Sequence, residues 1–399
     1  MIINNKITLT LLTGVVLTSC STSIQTQKIV KQAQFQTDLL LQEIPKVDNK
    51  KGVLVSPRTV EHGQLVLVPS KDWTSGFFPG NLWYLYELTK DEKRKAEAEK
   101  FTAKIEKEKY NGNTHDMGFK IYCSFGNGYR LTGRQDYKEV IIQSAKTLIT
   151  RFNPKVGAIR SWDHNSDKWD FPVIIDNMLN LELLFEATRL TGDSTYYNIA
   201  VTHANTTMKN HFRPDYSTWH VIGYNPKTGA VEKRNTHQGY SDDSAWARGQ
   251  GWAIYGYTMC YRYTKNPAYL AQAENVAKFI FNNKNMPKDL IPYWDFDAPK
   301  IPNEPRDVSA AAVISSALYE LSTYSKKEDY LKKAREMTHA MATKYKSAEG
   351  TNKGFILDHS TGHWPKNSEI DVPINYADYY YLEGIVRNNR IKKHESVVQ

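Results

Sequence analysis

One local pattern recurs along this chain: an aromatic-rich helical segment, a Thr or Ser stop, then a second helical segment containing alanine. It reads LYELTKDEKRKAEA around Thr89, GYRLTGRQDYKEV around Thr132 and EATRLTGDSTYYNIA around Thr191. It returns as CYRYTKNPAYLAQA around Thr264 and LYELSTYSKKEDYL around Ser322. A polar residue between two periodic segments marks the end of one helix and the start of the next. Its repetition predicts an all-α fold assembled from helical hairpins.

Apolar periodicity places helices near 28–43, 75–90, 92–108, 115–132, 136–152 and 172–191. The second half adds 194–211, 245–265, 267–284, 307–324, 327–346 and 374–388. Leu179, Leu183, Phe185 and Leu190 illustrate the spacing. Segments starting near 75, 115, 172, 245, 307 and 374 are rich in Gly, Ala and aromatics, as expected of helices buried on every side. Their partners, such as Asp91–Lys109 and Lys326–Lys346, carry charge on one face and suit an outer layer. Six such pairs can close into an (α/α)6 barrel; an open superhelical solenoid is the alternative. Closure fits better, because neither end shows a polar capping repeat, and no linker divides residues 21–399, which read as one domain.

Residues 1–20, MIINNKITLTLLTGVVLTSC, have the shape of a secretory leader, with Lys6 preceding an apolar run too short to span a bilayer. The ending Leu17-Thr18-Ser19-Cys20 resembles the bacterial lipoprotein signal, in which Cys20 is lipidated and becomes the first residue. The expectation is an exported chain in the periplasm or on the outer membrane, touching the membrane only through that lipid. Cys123 and Cys260 lie in apolar helical patterns and are expected to be buried free thiols rather than a disulfide.

In a closed barrel the six inner helices run the same way, so their N-termini meet at one mouth. The unusual sequence falls there: Trp73-Thr74-Ser75-Gly76-Phe77-Phe78-Pro79-Gly80, Thr114-His115-Asp116-Met117-Gly118-Phe119, Ser161-Trp162-Asp163-His164, Ile175-Asp176-Asn177-Met178, and the run from Asp242 to Trp252. Aromatic faces for stacking, with carboxylates, His and Arg for hydroxyls, are what a sugar site needs. Asp116 and Asp176 each sit at an inner-helix start. They read either as helix caps or as an acid/base pair, one member kept protonated by burial and by the other's charge against the helix dipole. His220 and Gln238 lie in a long insertion, Pro214–Asp243. Arg248, among Trp246 and Trp252, needs a buried anion, which a bound carboxylate would supply. His359 and His363 are four apart, but Gly362 and Pro365 break any helix there, so no metal is expected. The formal charge of +9 is spread over outer helices, with no basic stripe, which argues against nucleic acid. Phosphate-binding and nucleophile-elbow motifs are absent from the sequence.

Taken in order, WTSGFFPG, HDMGF, IIDNM and DDSAWARGQGW resemble the unsaturated glucuronyl hydrolases of glycoside hydrolase family 88, over about Asp72 to Gly384. The resemblance implies the same barrel and an enzyme that removes the 4,5-unsaturated uronic acid left when lyases cut acidic glycans. The implied partners are unsaturated chondroitin, hyaluronan or heparin oligosaccharides, with no cofactor. It implies Asp176 as general acid/base and Asp116 as the second essential carboxylate. It implies substrate contacts from Trp73, Trp162, His220, Gln238, Arg248 and Trp252, and from Lys366 and Ser368 in the loop His363–Ser368. Two further readings stand beside it: an unsaturated rhamnogalacturonyl or ulvan-type hydrolase on the same barrel, and a non-catalytic glycan-binding lipoprotein whose paired Asp are caps.

Overall fold

The computed structural model describes residues 10–398, with side chains from Thr26 onward; residues 1–9 and the side chain of Cys20 lie outside the described residues. The recurring stop has one geometry in four hairpins. The hydroxyls of Thr89, Thr132, Thr191 and Thr264 donate to the carbonyls of Leu85, Gly128, Ala187 and Cys260 at 2.6–2.8 Å. Each also accepts the N–H two residues ahead. The residue between, Lys90, Gly133, Gly192 or Lys265, is left-handed. In three hairpins an Asp or Asn then caps the outgoing helix: Asp91, Asp193 and Asn266. A single Thr thus satisfies orphan groups on both sides of the turn.

These turns join inner helices to outer ones. The pairs are α2 (Phe77–Thr89) with α3 (Glu92–Ala103), and a π-helical Gly118–Gly126 running into α4 (Asn127–Thr132) with α5 (Gln135–Ile149). A 3-10 turn, Ile175–Asn180, leads α6 (Leu181–Thr191), which pairs with α7 (Ser194–Asn210). Next come α8 (Ala247–Thr264) with α9 (Pro267–Asn282), and α10 (Val308–Tyr324) with α11 (Tyr330–Lys344). The last inner helix, α12 (Asn375–Lys392), packs against α10 on one side and α2 on the other, which closes the ring into an (α/α)6 barrel. The sixth outer position is filled by the N-terminal helix, α1 (Thr10–Glu43): Gln32 and Gln36 donate to the carbonyls of Ser347, Thr351 and Phe355.

The floor of the barrel, away from the mouth, is ionic. Arg262 pairs with Glu182 and Glu320, Arg387 with Glu320 and Glu383, and Arg130 and Arg390 with Glu87. Such buried ions are tolerable because each finds an opposite charge. Cys123 and Cys260 are buried free thiols. Among the described residues no helix is long and apolar enough to cross a membrane.

Two inner segments depart from the regular helices expected at 115–132 and 172–191. They begin as the π-helical and 3-10 stretches, and these touch: a Cβ on Gly118 would lie 2.7 Å from Asn180 Cα, and Asn180 Oδ1 accepts the Phe119 N–H at 3.0 Å. The periodicity also left out every strand. β1 (Leu54–Glu61) and β2 (Gln64–Pro69) form a hairpin before α2, and short β3 (Phe152–Asn153) and β4 (Ala158–Ile159) pair after α5. The insertion folds onto β5 (Phe171–Ile174) as β6 (Val221–Tyr224) and β7 (Val231–Asn235), a three-stranded antiparallel sheet. β8 (Ser360–His363) and β9 (Ser368–Val372) make a second hairpin, tied to β1.

Candidate active site

The mouth holds a cavity of about 350 Å³ lined by Trp73, Asp116, Trp162, Asp176, Gln238 and Lys366, drawn from six separate stretches of chain. Close approach makes this possible. A Cβ on Gly76 would sit 2.2 Å from the Lys120 carbonyl oxygen, so only glycine lets the Trp73 segment lie against the segment that carries Asp116.

Neither carboxylate caps a helix among the described residues. Asp116 Oδ2 accepts the Thr114 hydroxyl at 2.7 Å, and its Oδ1 lies 3.1 Å from His115 Nε2. Burial holds the His115 imidazole below its ordinary value, so it is neutral near pH 7. Asp176 lies in the 3-10 turn, five residues ahead of the regular helix that starts at Leu181, so the dipole of that helix acts on it weakly. Its Oδ2 is buried without a hydrogen-bond partner among the described residues. His220 Nε2 stands 3.5 Å from that oxygen. The backbone N–H groups of His237 and Gln238 both donate to His220 Nδ1, at 3.1 and 3.2 Å. An acceptor nitrogen carries no proton, so the ring's proton resides on Nε2 and faces Asp176.

The aromatic wall has two patches, one around Trp73 and one around Trp162. Trp73 packs on Tyr376 and Phe119, and Trp162 stacks on His164 with centroids 5.1 Å apart. Imidazoles crowd the rim: His237 lies 5.0 Å from His363 and 5.4 Å from Trp162. Burial, with nearby cations such as Lys366, pushes both His237 and His363 down to about 3, so they are neutral hydrogen-bonding groups at neutral pH.

Four expected contacts stand away from the cavity lining, the first being His220, which sits behind Asp176. Trp252 is fully buried behind it, against Phe119 and Tyr380. Ser368 opens β9 at the far side of the hairpin turn, paired with His363. Arg248 corrects the sequence reading most plainly: its buried anion is Asp307, at 2.7 Å, and its other donors reach the carbonyls of Thr361 and Gly362. No bound carboxylate is needed to explain it. Gln238 Nε2 also donates to Gly362 O, at 3.0 Å, so Arg248 and Gln238 together hold the β8–β9 hairpin over the mouth. His359, offered with His363 as a metal pair and set aside, bonds Asp371 instead.

Sequence reasoning missed Arg58 and Glu369, which also line the cavity. Arg58 makes a two-point contact with Glu369 at 2.6 and 2.7 Å and reaches Asp72 at 2.9 Å. Asp72 in turn accepts from Thr74, fixing the loop that presents Trp73. Nothing in the local sequence marks this chain of contacts, because Arg58 and Glu369 are 311 residues apart.

Comparison with known proteins identifies the family. The profile of glycosyl hydrolase family 88 matches residues 50–392. An unsaturated glucuronyl hydrolase of Formosa agariphila is 58% identical over 326 residues, covering 81% of this chain and 82% of that one. An unsaturated chondroitin disaccharide hydrolase of Streptococcus pneumoniae is 31% identical over 369 residues, 90% of each chain. The crystal structure of an unsaturated glucuronyl hydrolase specific for heparin superposes with a TM-score of 0.88 at 47% identity, over 93% of this chain and 99% of that chain. The chain belongs to glycosyl hydrolase family 88.

Proposed function

We propose that this chain removes the 4,5-unsaturated uronic acid from the non-reducing end of lyase-generated glycosaminoglycan oligosaccharides. The observation that carries this reading is the pair Asp116 and Asp176 in one aromatic-walled cavity, neither of them spent on capping a helix. The sugar's double bond joins C4 and C5, and C5 also bears the ring oxygen. Asp176 gives its proton to C4, and positive charge develops over C5 and the ring oxygen. Water adds at C5 and returns a proton to Asp176, leaving a hemiketal. The hemiketal opens to a ketone at C5, and C1 then releases the neighbouring sugar with its oxygen. His220 Nε2–H and Asp116 orient Asp176, the water and the ring. Trp73 and Trp162 offer stacking faces, and Gln238 and Lys366 offer polar contacts.

Lipidation at Cys20 belongs to the same reading. Thr26, six residues further on, meets Lys392 Nζ at 3.3 Å, at the foot of α12. A lipid on Cys20 would therefore tether the barrel by the end opposite its mouth and leave the cavity facing outward. Mass spectrometry of membrane-extracted protein tests it: a diacylated Cys20 is expected, and an unmodified chain in the soluble fraction would contradict it.

The activity is tested by the fall in ultraviolet absorbance of unsaturated chondroitin, hyaluronan and heparin disaccharides. At least one is expected to react, and Asp176→Asn to lower kcat/KM by about 10²–10⁴-fold. No reaction with any of them, or full activity in Asp176→Asn, would overturn the assignment.

A further inference from the structure

The cavity does not end at Lys366. His237, His363 and Lys366 line both the cavity and a second trough of about 710 Å³ that opens beside it. The trough runs between the β7 end of the inserted sheet and the β8–β9 hairpin, the size of a drug-like ligand site. Its floor is Trp169, which is 5% exposed, packed edge-on to Trp162, and anchored by an Nε1–H bond to Asn235 Oδ1 at 3.1 Å. Its outer lip is Tyr240, which is 48% exposed, an unusual amount for a large ring, while its backbone N–H is fixed to Asp295. Lys233 Nζ donates to the Lys168 carbonyl at 2.7 Å, which pins its charge against the backbone at the trough, and the Lys168 ammonium lies 5.9 Å from the Trp169 ring centroid. With Lys366 this makes three cations along the trough. Of the two carboxylates there, Asp242 is occupied by Asn235 Nδ2 and the Thr236 N–H, and Asp167 lies on the exposed rim.

We propose that this trough is a subsite for the acidic sugar two units beyond the unsaturated one, so that the enzyme prefers oligosaccharides of four or more units to disaccharides. The inference rests on the proposed function for its direction, since the unsaturated end must occupy the cavity. Its physical content is independent. An aromatic floor and lip, amide and hydroxyl edges and a positive balance of fixed charge suit a carboxylated or sulfated sugar ring. Lys168 and Lys233 are the residues that set the preference, through charge, and Trp169 and Tyr240 do so through contact.

Calorimetric binding to Asp176→Asn, which holds ligand without consuming it, provides the test. The probes are the unsaturated tetrasaccharide and disaccharide from one chondroitin sulfate digest. The tetrasaccharide is expected to bind about five- to tenfold more tightly, as two exposed ionic contacts and a stacking face allow. Adding Lys168→Ser and Lys233→Ser should reduce that ratio to about twofold or less, and about 0.5 M salt should do the same in the unsubstituted background. Equal affinities, or a loss in the double variant that weakens both ligands alike, would overturn the subsite. The two readings fail separately. Turnover of disaccharides with no preference for length sinks only the subsite. Tighter tetrasaccharide binding by a wild-type chain that turns over neither ligand sinks only the function.

Discussion

His220 is locked by two backbone N–H groups into the tautomer that presents Nε2–H to Asp176, so main-chain geometry decides which ring nitrogen carries the proton there. Away from the mouth, His203 and His211 are wholly buried, and desolvation pushes both from 6.5 down to about 3. Unfolding lets them protonate below pH 6.5. From pH 6.5 down to 3 the unfolded chain therefore holds more protons, and stability falls as the pH is lowered. Asp378, pushed up by burial from 3.8 to about 7, works in the opposite sense over its own window, but it is one group against four, since His237 and His363 at the mouth titrate in the same sense as His203 and His211. The unfolding free energy from urea titration is expected to be lower at pH 5 than at pH 7. His203→Asn keeps an acceptor for the Ile159 N–H and should shrink that difference by up to about 2 kcal/mol. An unchanged difference would show that His203 is not buried neutral. At this scale the motif residues were legible: Asp116, Asp176 and Trp73 stand in unusual local strings. Arg248 was half legible. Its need for an anion followed from its neighbours, but Asp307 lies 59 residues on, and only folding reveals the pair.

At the scale of elements the repeated turn does most to organise the fold. Thr191 closes α6, Gly192 turns left-handed at φ +77°, and Asp193 caps α7. A Cβ on Gly192 would meet nothing within 4 Å, so Gly192→Ala isolates backbone strain from any clash. It is expected to lower stability by about 1 kcal/mol, read as a drop in the thermal midpoint with activity unchanged at low temperature. No drop would mean the turn is not held in that conformation. This signal is local in sequence, which is why the hairpins could be read directly. The strands could not. They are short, and their partners are remote: Ile174 pairs with Val221 and Thr59 bridges Ile374. The π-helical and 3-10 stretches escaped for a related reason, since they are fixed where Gly118 meets Asn180 across the ring.

Over the whole molecule, charge is segregated by depth. Paired ions fill the floor of the barrel, neutral imidazoles and aromatics ring the mouth, and Lys366 leads outward to Lys168 and Lys233. Ring closure was legible from the count of helical pairs, and the gathering of Asp116 and Asp176 at one mouth follows from inner helices that all run one way. The trough was not legible, because it lies between the inserted sheet and the β8–β9 hairpin. On the proposed mechanism the mouth adds water across a double bond instead of displacing at C1. Running the reaction in D₂O and following it early by NMR tests this most directly. One deuterium delivered to a single face of C4 and loss of the vinylic signal are expected, with neither change in Asp176→Asn. A released sugar that keeps its double bond and carries no deuterium at C4 would contradict that mechanism.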